Sequence, residues 1–402
     1  MATENLIPQI RFPEFNGNWE IKEFGNLYDF KTTNSFSRDN LNYENGSVKN
    51  IHYGDIHTKF NAQFDITKEL VPFINEDIDV SKINDESYLI EGDLVIADAS
   101  EDYADIGKAI EIINLNDEKT VAGLHTLLAR KKSEDIAIGF ASFILKTNRV
   151  RLAVMKIAQG SKVLSLSANR FAKIDLHLPK PDEQTKIASF ISKIETQIQL
   201  LEKEKALLEK YKRAISKKIF NQEIRFKDDS GNDFPDWEEK VLGDICTKKS
   251  SNISANILEK NSGEYKLYGA NGLFKCIDFF EENDEYISIV KDGAGIGRVM
   301  LCDAKSSVLG TLDIIKPNEG VDLGFLFSVL LSIDFKKYGI GSTIPHIYFK
   351  DYKKQKISIP KKEEQEKISN FISSIEISIL NIESRLIQSR LFKKSLLQKM
   401  FV

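Results

Sequence analysis

"LPKPDEQTKIASFISKIE" at residues 178–195 recurs as "IPKKEEQEKISNFISSIE" at residues 359–376, which lie 181 positions further along the chain. Eleven of the eighteen paired residues are identical. The similarity continues at the same offset over residues 179–220 and 360–401. Because each copy of a repeat should fold into the same unit and bury the same face, the sequence predicts an internally duplicated protein.

Both copies carry apolar residues at alternating spacings of three and four, which is the heptad pattern of a coiled coil. Prolines and then acidic residues open each copy, as is typical of helix N-termini. About 39 residues predict a helix of roughly 58 Å. The strongest seam positions are Ile187, Ile191, Ile194, Ile198 and Leu201 in the first copy, and Ile368, Ile372, Ile375, Ile379 and Ile382 in the second.

We expect the two helices to pair with each other in antiparallel orientation. The alternative is that each amphipathic helix packs separately on its own domain. Lys205, Lys212, Ser389 and Lys393 interrupt the later seam positions. Lysine stems can lie along apolar surface with the ammonium group in water, or these positions face another subunit.

A second, weaker repeat precedes each variable region: "IRFPEFNGNWEIKEFGNL" (10–27) resembles "IRFKDDSGNDFPDWEEKVLGDI" (224–245). The chain is therefore predicted to comprise a globular domain at 1–178, a spacer helix at 179–221, a second globular domain at 222–357 and a second spacer helix at 358–402. The first helix leads into the second Ile-Arg-Phe segment, whereas the second helix ends at the C-terminus. This order predicts a circular, pseudo-twofold arrangement with the two termini close together.

The two variable regions contain strand-like runs bounded by turn residues, including "DLVIADA" (93–99), "KAIEIINL" (108–115), "YISIV" (286–290) and "TLDIIKP" (311–317). The fold class is therefore predicted to be α+β, with two globular α/β domains separated by an antiparallel coiled coil of two long helices. The run "LGFLFSVLLSI" (323–333) is shorter than the ~18 residues of a membrane span, and it predicts a buried helix.

The composition limits the possible partners and location. The formal net charge is −4 and the pI is about 5.9, so any binding to DNA must depend on local patches. The three cysteines, Cys246, Cys276 and Cys302, lie far apart and suit a reducing cytosol. The N-terminus lacks a basic region followed by an apolar core, so we expect a cytoplasmic protein with no membrane partner.

Sequence signals for catalysis are weak. "GAGIG" (293–297) precedes a strand-like run and predicts a tight glycine turn, since a dinucleotide loop would lead into a helix. The chain contains no phosphate-binding P-loop and no Pro-Pro dipeptide of the kind found in amino-methyltransferase motifs. "PDWEEK" (235–240) places its carboxylates too close in sequence for a nuclease site. The five histidines form no helix-spaced metal pair, and His177 is predicted to be structural.

The sequence resembles the specificity subunit of type I restriction–modification systems, over essentially its full length. The repeated Pro…Glu-Gln…Lys-Ile…Phe-Ile…Ile-Glu helices are the most specific marks of this resemblance. Further marks are "YGDIH", "EGDLVIADASEDYADIGKA" and "AGLHTLLAR" in the first half, and "YGANGLF", "DGAGIGRV" and "LGTLDIIKP" in the second.

The resemblance implies a non-catalytic subunit that recognises a bipartite, asymmetric site in double-stranded DNA through two target recognition domains. It implies two methyltransferase subunits, which supply S-adenosylmethionine binding and adenine methylation, and two restriction subunits, which supply ATP- and Mg-dependent translocation and cleavage. No cofactor or metal is expected in this chain.

Loop segments that mix cations, amides, hydroxyls and aromatic rings supply the candidate DNA contacts, since these groups bind phosphates and base edges. The simpler alternative for each single residue is a solvated loop. The candidates are Asn34, Ser35, Tyr53, His57, His125 and Lys162 in the first domain, and Tyr268, Asn271, Lys291, Ser342, Thr343 and His346 in the second. Two other functions stay open: an assembly scaffold that binds only proteins, and a nuclease with an unrecognised site.

Overall fold

The computed structural model describes residues 6–258 and 261–402. Residues 1–5 of the predicted first domain, and Glu259 and Lys260 of the second, lie outside the described residues. The chain divides into two compact units, one formed by Met1–Glu202 and Ser384–Val402 and the other by Lys203–Glu383. We call the part of the first unit before the first long helix the first head, and the part of the second unit between the long helices the second head.

The first head contains short strands and helices that follow its apolar runs. Its strands are β1 (Glu20–Glu23), β2 (Tyr28–Lys31), β3 (Leu41–Asn42), β4 (Lys49–Ile51), β5 (Gln63–Asp65), β6 (Phe73–Ile74), β7 (Leu94–Ala97), β8 (Ala99–Ser100), β9 (Ala109–Asn114), β10 (Thr120–Ala122), β11 (Thr126–Lys131), β12 (Leu164–Ser165) and β13 (Asp175–Leu178). Its helices are α1 (Phe24–Leu27), α2 (Tyr53–Thr58), α3 (Ala141–Ile144), α4 (Asn148–Ile157) and α5 (Ala168–Phe171). The first long helix, α6, spans Pro181–Phe220.

The second head repeats part of this plan. Its strands are β14 (Glu238–Val241), β15 (Cys246–Ser250), β16 (Tyr265–Gly269), β17 (Gly272–Ile277), β18 (Tyr286–Val290), β19 (Val299–Cys302), β20 (Ser307–Val308), β21 (Leu312–Pro317) and β22 (Lys356–Ile359). Its helices are α7 (Leu242–Ile245), α8 (Leu323–Ser332) and α9 (Phe349–Tyr352), and the second long helix, α10, spans Lys362–Lys399. The predicted buried helix at 323–333 is confirmed by α8.

Equivalent sheets form the centre of both heads. The strand order β2-β11-β7-β9 in the first head corresponds to β15-β21-β18-β19 in the second, and all these neighbours are antiparallel. The central strands β7 and β18 are buried along their whole length, which explains why their sequences are apolar apart from Ser288. The first head adds β5 parallel to β9 and a second sheet of order β10-β4-β6-β3, whereas the second head adds a sheet of order β17-β16-β20. The predicted α+β fold class is confirmed.

The two long helices pair with each other in antiparallel orientation in both units. In the first unit Lys393 contacts Glu195, and Arg390 Nη2 lies 2.6 Å from Glu202 Oε1. Since the residue number on one helix falls as that of its partner rises, the helices run in opposite directions.

The second unit shows the same pairing. There, Lys212 contacts Glu376, and Lys205 Nζ lies 2.9 Å from Glu383 Oε1. The seam lysines therefore neutralise carboxylates of the neighbouring helix. All ten predicted seam residues are buried, so the alternative of two separately packed helices is wrong.

An arginine and a glutamate join each head to its long helix. Glu183, in the first turn of α6, is 2% exposed and accepts two hydrogen bonds from Arg11, at 2.8 and 2.7 Å. Glu364, in the first turn of α10, is fully buried and accepts two from Arg225, both at 2.8 Å. Both arginines belong to the Ile-Arg-Phe segments, so the two weakly repeated segments and the two strongly repeated helices contact each other in the same way.

The adjacent glutamines complete each junction. Gln184 Nε2 donates to the carbonyl of Pro179 at 2.8 Å, and Gln184 Oε1 accepts from the backbone N–H of Ala137 at 2.9 Å. Gln365 makes the equivalent bonds to Pro360 and Asp322, both at 2.9 Å. The repeated Glu-Gln pair thus fixes the orientation of each helix on its head.

The C-terminal end of α10 packs into the first head, as the circular organisation predicts. Ile10 donates its backbone N–H to the carbonyl of Lys399 at 2.9 Å, and the ring centroid of Phe401 lies 6.1 Å from that of Trp19. In the second head the end of α6 takes the same place, where Phe220 contacts Phe325 at 5.9 Å. The described start of the chain and its C-terminus are therefore neighbours in one unit.

We predict that Arg11→Ala lowers the free energy of unfolding of the first unit by about 3–5 kcal/mol, because it leaves the buried Glu183 carboxylate without a counter-charge. Urea denaturation of the full chain measures this loss. Arg390→Ala is the matched control, since its exposed pair with Glu202 should contribute at most about 1 kcal/mol. Equal losses in the two variants would contradict the special role of the junction.

Candidate nucleic-acid interface

Three of the predicted first-head residues form one aromatic cluster. Tyr53 begins α2, because His52 Nδ1 accepts a hydrogen bond from the backbone N–H of Gly54 at 3.1 Å and caps the helix. The ring of Tyr53 lies 5.6 Å from that of His57, one helical turn later, and 5.4 Å from that of His125. His125 reaches the cluster from the turn between β10 and β11, where its φ of +55° places it in the left-handed region.

His52 and His57 favour the neutral state. Burial, and then the nearby Arg38 charge, lower the pKa of His52 to about 4. Because the Nδ1 atom of His52 accepts a hydrogen bond, its proton lies on Nε2. Burial also lowers the pKa of His57. His125 is half exposed, with Nδ1 3.6 Å from Asp98 Oδ1. The cluster can therefore present both donors and acceptors near neutral pH.

A buried carboxylate of α2 holds two nearby cations. Asp55 is fully buried and accepts from Arg38 Nη2 at 2.7 Å and from Lys59 Nζ at 2.9 Å. Burial acts to raise the pKa of Asp55, but the hydrogen bonds from both cations outweigh it and lower that pKa. Sequence reasoning did not single out Arg38, although it lies within the polar segment that follows β2, because only the fold brings it to Asp55.

The remaining first-head candidates lie around the turn that begins at Ala122 or on a separate loop. Asn34 donates its backbone N–H to Ala122 at 3.0 Å, and Ser35 beside it is exposed. The amide atoms of the fully buried Asn50 lie against Gly123, where an added Cβ would come within 2.4 Å of Asn50 Nδ2. Asn34 and Ser35 are thus near the turn that carries His125.

A glycine turn organises the edge of the second head. Gly293 and Gly297 adopt φ values of +90° and +79°, so the predicted tight turn at 293–297 is confirmed. Arg298 follows this turn, and its Nη1 donates to the carbonyl of Ala270 at 2.6 Å and to Asn271 Oδ1 at 2.7 Å. The predicted residue Asn271 is thereby tied to the glycine turn, and Arg298 is a candidate that sequence reasoning did not single out.

His346 joins the same edge. Its Nδ1 contacts the carboxylate of Asp292, and its ring lies 4.2 Å from that of Tyr348. Gly293 also donates its backbone N–H to the carbonyl of Pro345 at 2.9 Å. The glycine turn therefore brings together Asn271 and His346, which are 75 residues apart in sequence.

Two other second-head candidates are engaged by carboxylates of their own head. Lys291 Nζ lies 3.1 Å from Oδ1 of the buried Asp313. The hydroxyl of Tyr268 donates to Asp303 at 2.8 Å, and burial together with this bond raises the pKa of Tyr268 to about 12. These contacts hold both side chains in place.

The Gly-Ser pair near the end of each head forms the same hairpin. Gln159 exchanges backbone hydrogen bonds with Ser165, and Ile340 exchanges them with His346, 181 residues later. The glycines that begin these hairpins have φ values of +126° and +98°, and an added Cβ would lie 2.0 or 2.9 Å from a backbone oxygen across the turn. The exposed tips of the hairpins carry three of the predicted DNA-contact residues. These are Lys162 in the first head, and Ser342 and Thr343 in the second.

The long helices border a groove in each unit, at equivalent positions. The groove of the second unit has a volume of about 770 Å³, and that of the first about 410 Å³. Their shared lining positions include Lys212, Glu376 and Ile379 in the second unit, and Lys393, Glu195 and Ile198 in the first. At another shared position the second groove has Glu209 and the first has Arg390.

Within residues 6–258 and 261–402, no group of three or more His, Cys, Asp or Glu side chains is arranged to hold a metal ion. No helix in these ranges is long and apolar enough to cross a bilayer. His177, predicted to be structural, is buried on β13.

Comparison with known proteins identifies the family. The model of the type I restriction modification DNA specificity domain matches residues 16–210 and again residues 235–389. Two proteins of Methanocaldococcus jannaschii are similar in sequence. The type I restriction enzyme MjaIX specificity subunit is 24% identical over 64% of this chain and 67% of its own length. The putative type I restriction enzyme MjaX specificity subunit is 25% identical over 90% and 88%.

A solved structure supports the fold. The crystal structure of the type I restriction–modification system S subunit from M. genitalium superposes with a TM-score of 0.66 at 15% identity, over 98% of this chain and 99% of that one. Because the family model matches both halves of the duplicated chain, and each match covers a head and most of the following helix, the protein belongs to the type I restriction–modification DNA specificity family and is a specificity subunit of such a system.

Proposed function

We propose that this subunit recognises a bipartite, asymmetric site in double-stranded DNA and that it performs no catalysis itself. Each predicted globular domain, 1–178 and 222–357, would contact one specific part of the target. The paired helices would set the number of unspecified base pairs between those parts. This division assigns specificity to the loop edges of the heads and spacing to the repeated helices.

The observation that carries the proposal is a shared framework with unlike edges. Both heads have the same central strand order and the same Arg–Glu junction. The first head presents Tyr53 and His125 at its edge, whereas the second presents Asn271 and His346. Two unlike edges on equivalent frameworks fit two unlike half-sites, and hence an asymmetric target.

The chemistry of these edges suits base recognition. Histidines, amides and hydroxyls can donate to and accept from base edges in the major groove, while cations bind phosphates. The net charge of −4 is unfavourable for binding to a polyanion. Partner subunits that share the phosphate contacts would remove this difficulty.

The equivalent grooves along the helices support a scaffolding role. Each unit offers one groove with a Lys–Glu pair and an isoleucine at matching positions. Two like grooves fit two copies of one partner, and we assign them to two methyltransferase subunits, which would carry S-adenosylmethionine. Two restriction subunits would complete the enzyme and bring ATP and Mg.

Co-expression of the chain with its methyltransferase partner, followed by methylation sequencing of the host DNA, tests this function. We expect methylated adenines within one motif that has two specific parts and an unspecified spacer. Omission of the chain should abolish the methylation. Methylation without such a motif would favour the alternative of a scaffold that binds only proteins, and cleavage by the isolated chain with magnesium would favour a nuclease.

Lengthening both helices should change the spacer. We predict that seven residues inserted after Glu202 and again after Glu383 keep the ion pairs on both sides, since these points lie between the Arg390–Glu202 and Lys205–Glu383 pairs. The insertion adds about 10 Å of helix, or about three base pairs of DNA. The methylated motif should then show a different spacer, or be lost, with no change in either specific part.

The same insertion after Gly231 is the control, because an added Cβ at Gly231 has no neighbour within 4 Å and the insertion should leave the motif as it is. An unchanged spacer after extension of both helices would refute the spacing role.

Loss of the first-head cluster should weaken specific binding. We predict that His125→Ala, or Tyr53→Ala, weakens binding of the assembled complex to its cognate duplex by about 1–3 kcal/mol, because each loses a base contact. Electrophoretic shifts with cognate and scrambled duplexes measure this. Tyr103→Ala removes an exposed aromatic ring outside the cluster and should leave binding unchanged. If all three variants bind like the wild type, the cluster does not contact DNA.

A further inference from the structure

We propose that Arg298 of the second head recognises a guanine, and that Asn271 positions it. The inference depends on the proposed function, because it assumes that the second head contacts one part of the DNA target. Beyond that function, it names a residue that determines specificity and the base that this residue selects. It also assigns Asn271 a positioning role in place of a direct base contact.

The backbone at Arg298 is fixed on both sides. Its N–H donates to the carbonyl of Gly295 at 3.1 Å, and its carbonyl accepts from the N–H of Val290 at 3.0 Å. The turn that precedes it depends on glycines in the left-handed region at positions 293 and 297, and Phe335 lies so close to Gly297 that an added Cβ would come within 2.4 Å. Arg298 therefore leaves the turn from one defined place at the edge of the sheet.

The side chain is fixed as well, and by neutral groups. Nη1 donates to the carbonyl of Ala270 at 2.6 Å and to Asn271 Oδ1 at 2.7 Å. Within residues 6–258 and 261–402, Arg298 makes no ion pair, and its Nε and Nη2 donate no hydrogen bond. Lysines nearby behave differently: Lys291 pairs with Asp313, and Lys266 pairs with Asp303. Arg298 is thus an exposed cation that is oriented but not neutralised.

This arrangement matches the major-groove edge of guanine. Guanine presents two acceptors, N7 and O6, and an arginine fork donates to both at once. Adenine has a donor in place of O6, so it cannot accept both bonds. Because Nη1 is already anchored, the free Nε and Nη2 donors are the ones left for the base. The anchoring also reduces the side-chain entropy that binding would otherwise cost.

Asn271 consequently acts through Arg298. An asparagine that recognises adenine uses both its oxygen and its nitrogen. Here, the oxygen of Asn271 already accepts from Arg298. The structure thus favours a positioning role for Asn271 over the direct base contact that the sequence suggested.

The first head differs at the equivalent place. Its turn ends Ile-Gly-Lys, with Gly107 at φ +68°, and Lys108 follows as Arg298 follows Gly297. Lys108 Nζ donates to the carbonyl of His57 at 3.1 Å and pairs with Asp105 at 2.5 Å. The cation of the first head is engaged within the protein, so the guanine contact would belong to the second half-site alone.

The test maps methylated motifs for the wild type, Arg298→Ala, Arg298→Lys and Asn271→Ala, each co-expressed with the methyltransferase partner. We expect Arg298→Ala to lose discrimination at one guanine of one half-site by roughly 5- to 150-fold, with the other half-site unchanged. Arg298→Lys should relax the same position, because lysine keeps the charge but lacks the fork. Asn271→Ala should relax that position to a smaller extent.

Lys350→Ala is the matched control, since it removes an exposed cation of the same head that lies over the ring of Tyr348. It should alter the extent of methylation equally at all sites and leave the motif intact. The same uniform loss for Arg298→Ala would show a phosphate contact and overturn the proposal, as would an unchanged motif.

Folding of each variant is checked by its thermal unfolding. If Arg298→Ala unfolds the second head, the motif of Arg298→Lys decides: a relaxed guanine position supports the proposal and an unchanged motif overturns it. A wild-type complex that methylates no bipartite motif would instead refute the proposed function itself, which separates the two failures.

Discussion

Glu183 and Glu364 are buried carboxylates in the first turns of the two long helices, and each is held by two hydrogen bonds from an arginine of an Ile-Arg-Phe segment. A buried charge is costly unless it is paired and hydrogen-bonded, so each helix can begin only where its arginine is present. The junction therefore fixes which segment joins which helix. The circular order comes from a different contact, in which the end of α10 packs into the first head and Lys399 accepts a backbone hydrogen bond from Ile10.

The repeat explains why so much of the framework could be predicted from sequence. Heptad spacing, apolar runs and clustered glycines are local signals, and they predicted the long helices, β18 and the tight turn at 293–297 correctly. The seam lysines were harder to interpret, because their neutralisation depends on the register of the other helix. Lys212 meets Glu376 only after antiparallel pairing is established.

The contacts within the candidate DNA-binding edges were harder still to predict from sequence. Tyr53 and His57 are one helical turn apart, so a sequence can suggest that they are neighbours. His125 joins them from 68 residues beyond His57, and Arg298 reaches Asn271 from 27 residues away. Such contacts arise from the order of the strands in the sheet, so no local sequence pattern predicts them. Residues chosen from composition alone therefore included Lys291, which is held by Asp313, and omitted Arg298.

The residues that stabilise each head are separate from the loops at its edge, so the loops of the two heads can differ. The stability of each head comes from its buried central strands and from its junction with the helix, which the two heads share. Exposed loops contribute little to that stability, so their polar residues can change with small cost. The added sheets, β10-β4-β6-β3 in one head and β17-β16-β20 in the other, also differ, and they lie outside the shared strand order. A duplicated framework that tolerates unlike edges is what a subunit needs if two different half-sites are to be held at one fixed spacing.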